Sequence, residues 1–364
     1  MKNLCLFLAL SLSLCAQSDY YNYELFEQLR NYAENGDMQG FKKILKKRVI
    51  DINAADYEGS TLLSIAIIGD NIEMTKLFLK YGADVNSTSI DSQSPLILAV
   101  HNNNMEMVKL LLSYGADINY QGFRGATALF SALDYNQKEN TPMVKLLIAN
   151  KADVNIPYGG DSENDETPLM YASMKGYEQT VQILLENKAD VNKRNVHNAN
   201  ALIYAYMFGN EKIADILLKN GSDSLNKSLE ACNLNRKTIL SSGLTPLMNA
   251  AIYSTNEVFL QKLIDNGANV NYKDINDDTA LIKAVKENNM GAVKVLLKNN
   301  ADVNVQNRYG MTALMWACHY RYPKIAKMLL DAGANPNIKN GNKDALYYAK
   351  EYGKNEEAIK LLDK

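Results

Sequence analysis

The residues that could carry out chemistry are few in this 364-residue sequence, and they lie far apart. Its three histidines, His101, His197 and His319, form no HExxH motif and no Cys-His pair of metal-binding spacing. There is no Gly-x-Ser-x-Gly nucleophile motif, and the segment around Lys237 lacks the glycines of a phosphate-binding loop. The sequence therefore predicts a protein that is not an enzyme, with no catalytic residue, no metal site and no cofactor.

One acidic segment, GGDSENDE at residues 159–166, has the composition of a cation-binding loop. A calcium loop has ligands at alternate positions and a closing glutamate, and this segment lacks that spacing. We interpret it as a solvated finger, with weak cation binding as the alternative. Beyond the N-terminal segment, Cys232 and Cys318 lie too far apart for a metal site or a disulfide, so both are predicted to be free thiols.

The first sixteen residues have the pattern of a secretory signal: a lysine, an apolar run of about a dozen residues, and then Ala16. The run is shorter than the roughly 20 apolar residues of a membrane-spanning helix, and no later segment qualifies as one. Cleavage after Ala16 would release a free protein. Alternatively, Leu-Ser-Leu-Cys resembles a lipoprotein signal, with Cys15 as the lipidated residue, although Leu14 is larger than the usual residue there. We therefore expect an exported protein, either periplasmic or secreted, or a lipoprotein anchored to an outer membrane.

Charge and composition narrow the classes of partner. The chain is 47% apolar and 22% charged, as folded proteins are, and its formal net charge is −2. Nucleic-acid-binding proteins gather lysine and arginine on one face, whereas the lysines here are spread along the chain. The sequence therefore predicts no nucleic-acid partner.

A segment with a Thr-Pro-Leu-like start recurs through the chain at intervals of 32 to 45 residues, most often 33. Leucine stands two positions after every start and alanine five positions after it. A fixed period of this length is typical of a solenoid, in which each unit packs only against its neighbours. The starts are Thr61, Ser94, Thr127, Thr167, Asn200, Thr245, Thr279, Thr312 and Asp344.

These units resemble the ankyrin repeat family, whose 33-residue unit opens with Thr-Pro-Leu-His-x-Ala. The recurring exits GADVN, GADIN and GANVN match the family's helix exit and finger start. The resemblance implies an all-α repeat solenoid, a stack of helix-turn-helix units with β-hairpin fingers. It assigns residues 17–23 to a short N-terminal segment and residues 24–364 to an array of about ten units. An insertion near residues 225–244 forms either a long finger or a short extra helix.

Physical chemistry explains why particular residue types recur at particular positions of the repeat. Thr or Ser at the start can cap a helix, and a following proline fits the first turn because no amide donor is lost there. The helix exit requires positive φ, which suits glycine, so Lys151 and Lys188 at this place are expected to cost about 1 kcal/mol each. The family's histidine is absent from every unit, and we expect apolar contacts where it would form a polar link.

The resemblance implies that binding occurs at the fingertips and at the positions two and three residues after the alanine column. Between Tyr135 and Tyr253 these positions are largely apolar or aromatic, which suits contact with a protein. The alternative is that they pack sideways on neighbouring units. The candidate partner-binding residues are Tyr135, Met174, Met207, Phe208, Ile252, Tyr253, His319 and Tyr320 on the helices, and Phe123, Arg124, Arg308 and Tyr309 at the fingertips.

The sequence thus predicts a monomeric scaffold for protein–protein interaction, located in the cell envelope or secreted. Three alternatives remain open: an accessory or inhibitor of an envelope enzyme, a secreted effector directed at a host, and a hidden enzyme in the insertion at residues 225–244.

Overall fold

The computed structural model describes residues 26–45, 51–56, 59–89, 91–134, 138–159, 165–225, 227–228, 244–353 and 356–363. The chain divides into two compact units, Met1–Gly159 and Gly160–Lys364. The signal segment with Cys15, the candidate Tyr135 and most of the insertion, including Cys232, lie outside the described residues. The predictions made for them remain predictions.

The first unit is a series of antiparallel helix pairs, in which a short first helix is followed by a second helix of similar or greater length. Its helices are α1 (26–35), α2 (Met38–Leu45), α3 (Leu62–Ile68), α4 (Ile72–Lys80), α5 (Pro95–His101), α6 (Met105–Ser113), α7 (Ala128–Asp134) and α8 (Thr141–Ala149).

The second unit repeats this pattern and ends in a modified pair, in which a π-helical turn, Ala349–Gly353, separates the last two helices. Within the described ranges of the chain, no helix is long and apolar enough to cross a bilayer. The helices of this unit are α9 (Pro168–Lys175), α10 (Glu178–Glu186), α11 (Ala201–Met207), α12 (Glu211–Lys219), α13 (Pro246–Tyr253), α14 (Glu257–Asp265), α15 (Ala280–Lys286), α16 (Met290–Lys298), α17 (Ala313–His319), α18 (Pro323–Asp331), α19 (Ala345–Tyr348) and α20 (Glu356–Leu362).

Every predicted start caps the first helix of its repeat. At all nine starts the side-chain oxygen accepts a hydrogen bond of 2.9–3.4 Å from the backbone N–H three residues further on. All nine alanines of the column are 0% exposed, and the leucines are buried except Leu346, which is half-buried. The predicted columns therefore form the core of each unit, because a small side chain lets consecutive first helices approach closely.

Asparagines supply polar links between neighbouring repeats. The asparagine that closes one repeat accepts a hydrogen bond of 2.7–2.8 Å from a backbone N–H at the helix exit of the next, as Asn86 does from Asp117 and Asn271 does from Asp302. Apolar side chains such as Ile97 and Met170 are buried where the family has histidine, as expected. Hydrogen bonds therefore still link neighbouring repeats, but they form at the closing asparagines and not at the position where the family has histidine.

The fingers are tight turns. Asn307 Oδ1 accepts hydrogen bonds of 3.0 Å from the backbone N–H groups of Tyr309 and Met311, which closes one fingertip. Isolated β-bridges form at Ala55–Thr61 and Asn340–Lys343. At these two fingers, the described residues form a single bridge where a hairpin was predicted.

Positive φ values at the helix exits permit a stability test. Lys188 adopts φ of 67°, and Gly267 adopts 93° at the equivalent place. Because an L side chain is strained in this region, Lys188→Gly is expected to raise the free energy of unfolding by about 1 kcal/mol, measured by urea denaturation. The matched change is Gly267→Lys, where an added Cβ meets no atom within 4 Å. It should lower stability by a similar amount, and a loss in both variants would refute the backbone explanation.

Candidate functional site

Aromatic side chains converge at the end of the second unit. Trp316 stacks on Tyr320 with ring centroids 5.4 Å apart, and the His319 ring lies 5.0 Å from Tyr320 and 4.9 Å from Tyr352. Tyr320 is 39% exposed and Tyr352 is 47% exposed, so the group reaches the surface. We call this group the C-terminal aromatic surface; its members are Trp316, His319, Tyr320, Tyr322, Tyr347, Tyr348 and Tyr352.

Local backbone geometry places these rings together. Residues three and four apart lie on one face of an α-helix, which brings His319 and Tyr320 beside Trp316. In the last repeat, the π-helical turn follows Tyr348, and its Tyr352 lies 6.0 Å from Tyr348 and 6.4 Å from Tyr347 between ring centroids. A π-helical turn pairs residues five apart, a spacing that often occurs at functional sites.

Two ring nitrogens within this surface lack hydrogen-bond partners. Trp316 Nε1 and His319 Nδ1 are buried atoms, and neither has a partner among the described residues. A buried unsatisfied donor or acceptor costs about 1–3 kcal/mol, so native proteins keep few of them. The Trp316 and His319 rings are therefore held by contacts of their faces and edges with other rings, and not by hydrogen bonds from these two nitrogens.

A buried charge network lies beside the aromatic surface. Lys286 Nζ lies 4.8 Å from the centre of the Trp316 ring and 3.2 Å from Asp278. Lys283 Nζ lies 2.8 Å from Asp274 and 2.9 Å from Asp278, and both carboxylates are almost fully buried. The network therefore fixes the lysine that lies over the tryptophan face.

The pKa shifts in this network follow from its hydrogen bonds. Burial by itself raises the pKa of Asp278, but hydrogen bonds from Asn307 and Lys283, with the lysine charges, leave that pKa below its ordinary value. Burial likewise lowers the pKa of Lys283, yet its bonds to Asp274 and Asp278 outweigh burial and raise that pKa. Asp278 and Lys283 are therefore charged at neutral pH.

A second exposed aromatic pair lies earlier in the same unit. Phe208 and Tyr253 stack at 5.2 Å between ring centroids, and Tyr253 is 52% exposed. Gly209, at φ of 73°, permits this approach, since a Cβ there would lie 2.5 Å from the Tyr253 carbonyl oxygen. The Tyr204 ring is stacked with that of Phe208, and the Tyr204 hydroxyl donates a hydrogen bond of 2.6 Å to Glu166.

Glu166 gives a pH-dependent prediction. Burial raises its pKa above the ordinary value, and the hydrogen bond from Tyr204 and the charge of Lys175 oppose this only in part. Because the folded state then holds the proton more tightly than the unfolded state, stability falls as pH rises above about 4, the unfolded pKa. Glu166→Gln should therefore be more stable than the native protein at pH 7, with the difference vanishing below about pH 4.

Urea midpoints measured across this pH range check the prediction. Glu186→Gln, at an exposed position at the end of α10, serves as the control and should show no such gain. Equal behaviour of the two variants would contradict the role assigned to burial.

The fingertip candidates are exposed in both units. In the first unit, Phe123 is 62% exposed, and the Arg124 guanidinium lies 5.3 Å from its ring centre. In the second unit, Tyr309 is exposed, and Arg308 lies 6.0 Å from its ring centre. Each fingertip therefore presents an aromatic ring together with an arginine, a combination enriched at binding hot spots.

The candidate residues predicted on the helices are only partly exposed. Met207 is 2% exposed, so the expectation that it lies on the surface is wrong; its long thioether side chain packs into the core. Met174 and Ile252 are half-buried, like Phe208 and His319.

Sequence reasoning missed the centre of the aromatic surface. Trp316 lies inside the repeat, between the leucine and alanine columns, and Tyr348 and Tyr352 follow the last predicted start, Asp344, outside the positions named as candidates. The tyrosine spacing and the single tryptophan of the chain were the available signals. Packing between neighbouring repeats was needed to bring them together.

Among the described residues, no group of three or more His, Cys, Asp or Glu side chains could hold a metal ion. Cys318 is a free, buried thiol, as expected, and burial raises its pKa to about 12, which keeps it protonated and unreactive.

Comparison with known proteins agrees with this fold. A family model for ankyrin repeats in sets of three copies matches residues 14–122, 84–158, 138–228, 224–307, 247–340 and 288–364. The chain belongs to the ankyrin repeat family.

Among solved structures, the chain is similar to the ankyrin repeat domain of Bcl-3, described as a unique member of the IkappaB protein family. Sequence identity is 21%, the TM-score is 0.51, and the match covers 65% of this chain and 97% of the other. This likeness concerns the fold alone. No curated protein matches the sequence.

Proposed function

We propose that the protein is a non-enzymatic scaffold that holds a partner protein against exposed side chains of its repeats. The C-terminal aromatic surface carries this proposal. It exposes large parts of Tyr320 and Tyr352 beside the rings of Trp316 and His319. Tyrosine, tryptophan and arginine are the residues most enriched at binding hot spots.

The order of this surface supports the proposal. The rings are fixed by mutual stacking, by the π-helical turn and by the charge network that holds Lys286 over Trp316. A surface that is ordered before binding loses less conformational freedom on association, which favours affinity. We place the primary contact here, with the Phe208–Tyr253 pair and the Arg308–Tyr309 fingertip as further contacts.

The test is affinity capture with the full chain followed by mass spectrometry. Tyr320→Ser combined with Tyr352→Ser should reduce the specifically captured partner at least about tenfold, because truncating hot-spot aromatics costs about 2 kcal/mol or more. Tyr81→Ser combined with Tyr114→Ser is the matched control, since these tyrosines are 45% and 47% exposed after α4 and α6. Equal capture by both variants, at unchanged helicity, rejects this surface.

We further propose that the protein is exported, on the strength of the apolar segment that ends at Ala16. Mass measurement of the mature N-terminus should find a chain that begins at Gln17, or else a lipidated chain that begins at Cys15. A full-length chain that retains Met1 would reject export by this signal.

A further inference from the structure

The repeats that carry the aromatic surface are basic, although the whole chain is slightly acidic. From Thr279 to Gly353 the sequence has eleven lysines and arginines against five aspartates and glutamates, whereas the whole chain has 39 against 41. A surface with one dominant sign of charge attracts segments of the opposite sign. This asymmetry indicates what kind of partner fits the surface.

Three of these cations form no ion pair with any described carboxylate: Arg321 and Lys343 lie beside the aromatic surface, and Arg308 lies at the Tyr309 fingertip. Arg308 donates to the backbone oxygen of Ile275 at 3.4 Å, and Arg321 donates to that of Tyr352 at 3.3 Å. Lys343 lies 5.0 Å from the centre of the Tyr347 ring. Their charges are thus held in position and remain available to an incoming acidic group.

The nearest buried carboxylates do not cancel these charges. Asp274 and Asp278 are enclosed and are already paired with Lys283 and Lys286. Exposed Glu287 and Glu351 offset only part of the positive charge of these repeats. The surface therefore has exposed rings with Arg321 and Lys343 beside them, and the Tyr309 fingertip adds the charge of Arg308.

We propose that the occupant of the C-terminal aromatic surface is an acidic segment of a partner protein, in which aspartate or glutamate alternates with apolar or aromatic side chains. This inference rests on the proposed function. The apolar side chains contact Tyr320 and Tyr352, and the carboxylates pair with Arg308, Arg321 and Lys343. Arginine can bind a carboxylate with two parallel hydrogen bonds. Such a pair is stronger than a single hydrogen bond and also fixes the orientation of the carboxylate.

Trp316 provides the readout, because it is the only tryptophan in the chain and lies within the surface. The probe is a synthetic peptide in which Asp and Glu alternate with Phe and Leu, titrated into the full-length protein. Its comparison peptide has Lys and Arg in place of the acids. We expect the acidic peptide to change the tryptophan emission and to bind at least about tenfold more tightly than the basic one, with affinity that falls as salt rises.

Variants locate the binding. Arg308→Gln, Arg321→Gln and Lys343→Gln together should weaken the acidic peptide about tenfold, as expected for three partly exposed pairs. Lys298→Gln, Lys324→Gln and Lys360→Gln, on exposed parts of the second helices, remove the same charge elsewhere and should change affinity little. Equal losses in the two triple variants, equal affinity for the two peptides, or no binding of either peptide overturns the inference. If the peptide inference fails but capture of the partner protein still depends on Tyr320 and Tyr352, the proposed function remains supported.

Discussion

Replacing Lys283 with methionine is expected to lower the free energy of unfolding by about 3–5 kcal/mol at pH 7. The Lys283 ammonium lies 2.8 Å from Asp274, whose side chain is 0% exposed, and 2.9 Å from Asp278. Methionine has similar length but no charge, so Asp274 loses its ammonium partner in a site that water does not reach. Urea denaturation followed by far-UV circular dichroism measures the loss.

The control for this prediction is the same substitution at an exposed ion pair. Lys294 pairs with Glu257 at 3.4 Å, and the lysine side chain is 68% exposed. Lys294→Met should cost less than about 1 kcal/mol, because solvent screens exposed pairs. Similar losses at the two positions would show that burial is not the source of the effect.

The pH dependence of the Lys283→Met effect follows from the two shifts. The pKa of Asp278 is lowered in the folded state, so its contribution is present above the unfolded value of about 3.9 and is lost as pH falls through the folded pKa. The pKa of Lys283 is raised, so its contribution is present below about pH 10.4 and is lost at higher pH. The stability gap between native protein and variant should therefore be widest between these limits and narrow outside them.

Replacing Phe259 with alanine is the second change with a large expected effect, a loss of about 3–5 kcal/mol in unfolding free energy. Phe259 is 0% exposed, and its ring stacks 5.0 Å from that of Tyr206, which belongs to the preceding repeat. The truncation removes apolar surface from the core and leaves a cavity between two repeats. Because repeats are stabilised by their neighbours, hydrogen exchange should increase in α11 and α12 as well as in α14.

The adjacent residue gives the control. Val258 lies on the same helix and is 66% exposed, so Val258→Ala should change stability by no more than about 0.5 kcal/mol. Increased exchange restricted to α14 in the Phe259→Ala protein would contradict the proposed coupling between repeats.

Much of the repeat could be predicted from the sequence because its determinants are local. Thr312 caps the helix that begins at Ala313, and Lys188 adopts the left-handed exit, as their positions in the repeat imply. The nine buried alanines follow from the need for close approach between first helices. These features depend on a few consecutive residues and on contact with a neighbour of similar pattern, so one repeat predicts the next.

The candidate site was predictable only in part, because exposure depends on side chains from neighbouring repeats. Tyr253 is exposed as predicted, whereas Met207 is buried, although Ile68 at the equivalent repeat position is exposed. Periodicity assigns one environment to a repeat position, and individual side chains of different length then pack differently. Packing between neighbouring repeats therefore decided which of the candidate residues on the helices are exposed.

The sequence by itself determined the repeat architecture, the caps, the helix exits and the buried columns, since short-range geometry and a repeated pattern are sufficient for these. Only the tertiary structure decided that Trp316, His319 and Tyr352 meet at one surface and that Lys283 bridges two buried aspartates. These contacts join side chains from different segments of the array. Their distances depend on how each helix pair packs on the next, which composition and spacing do not specify.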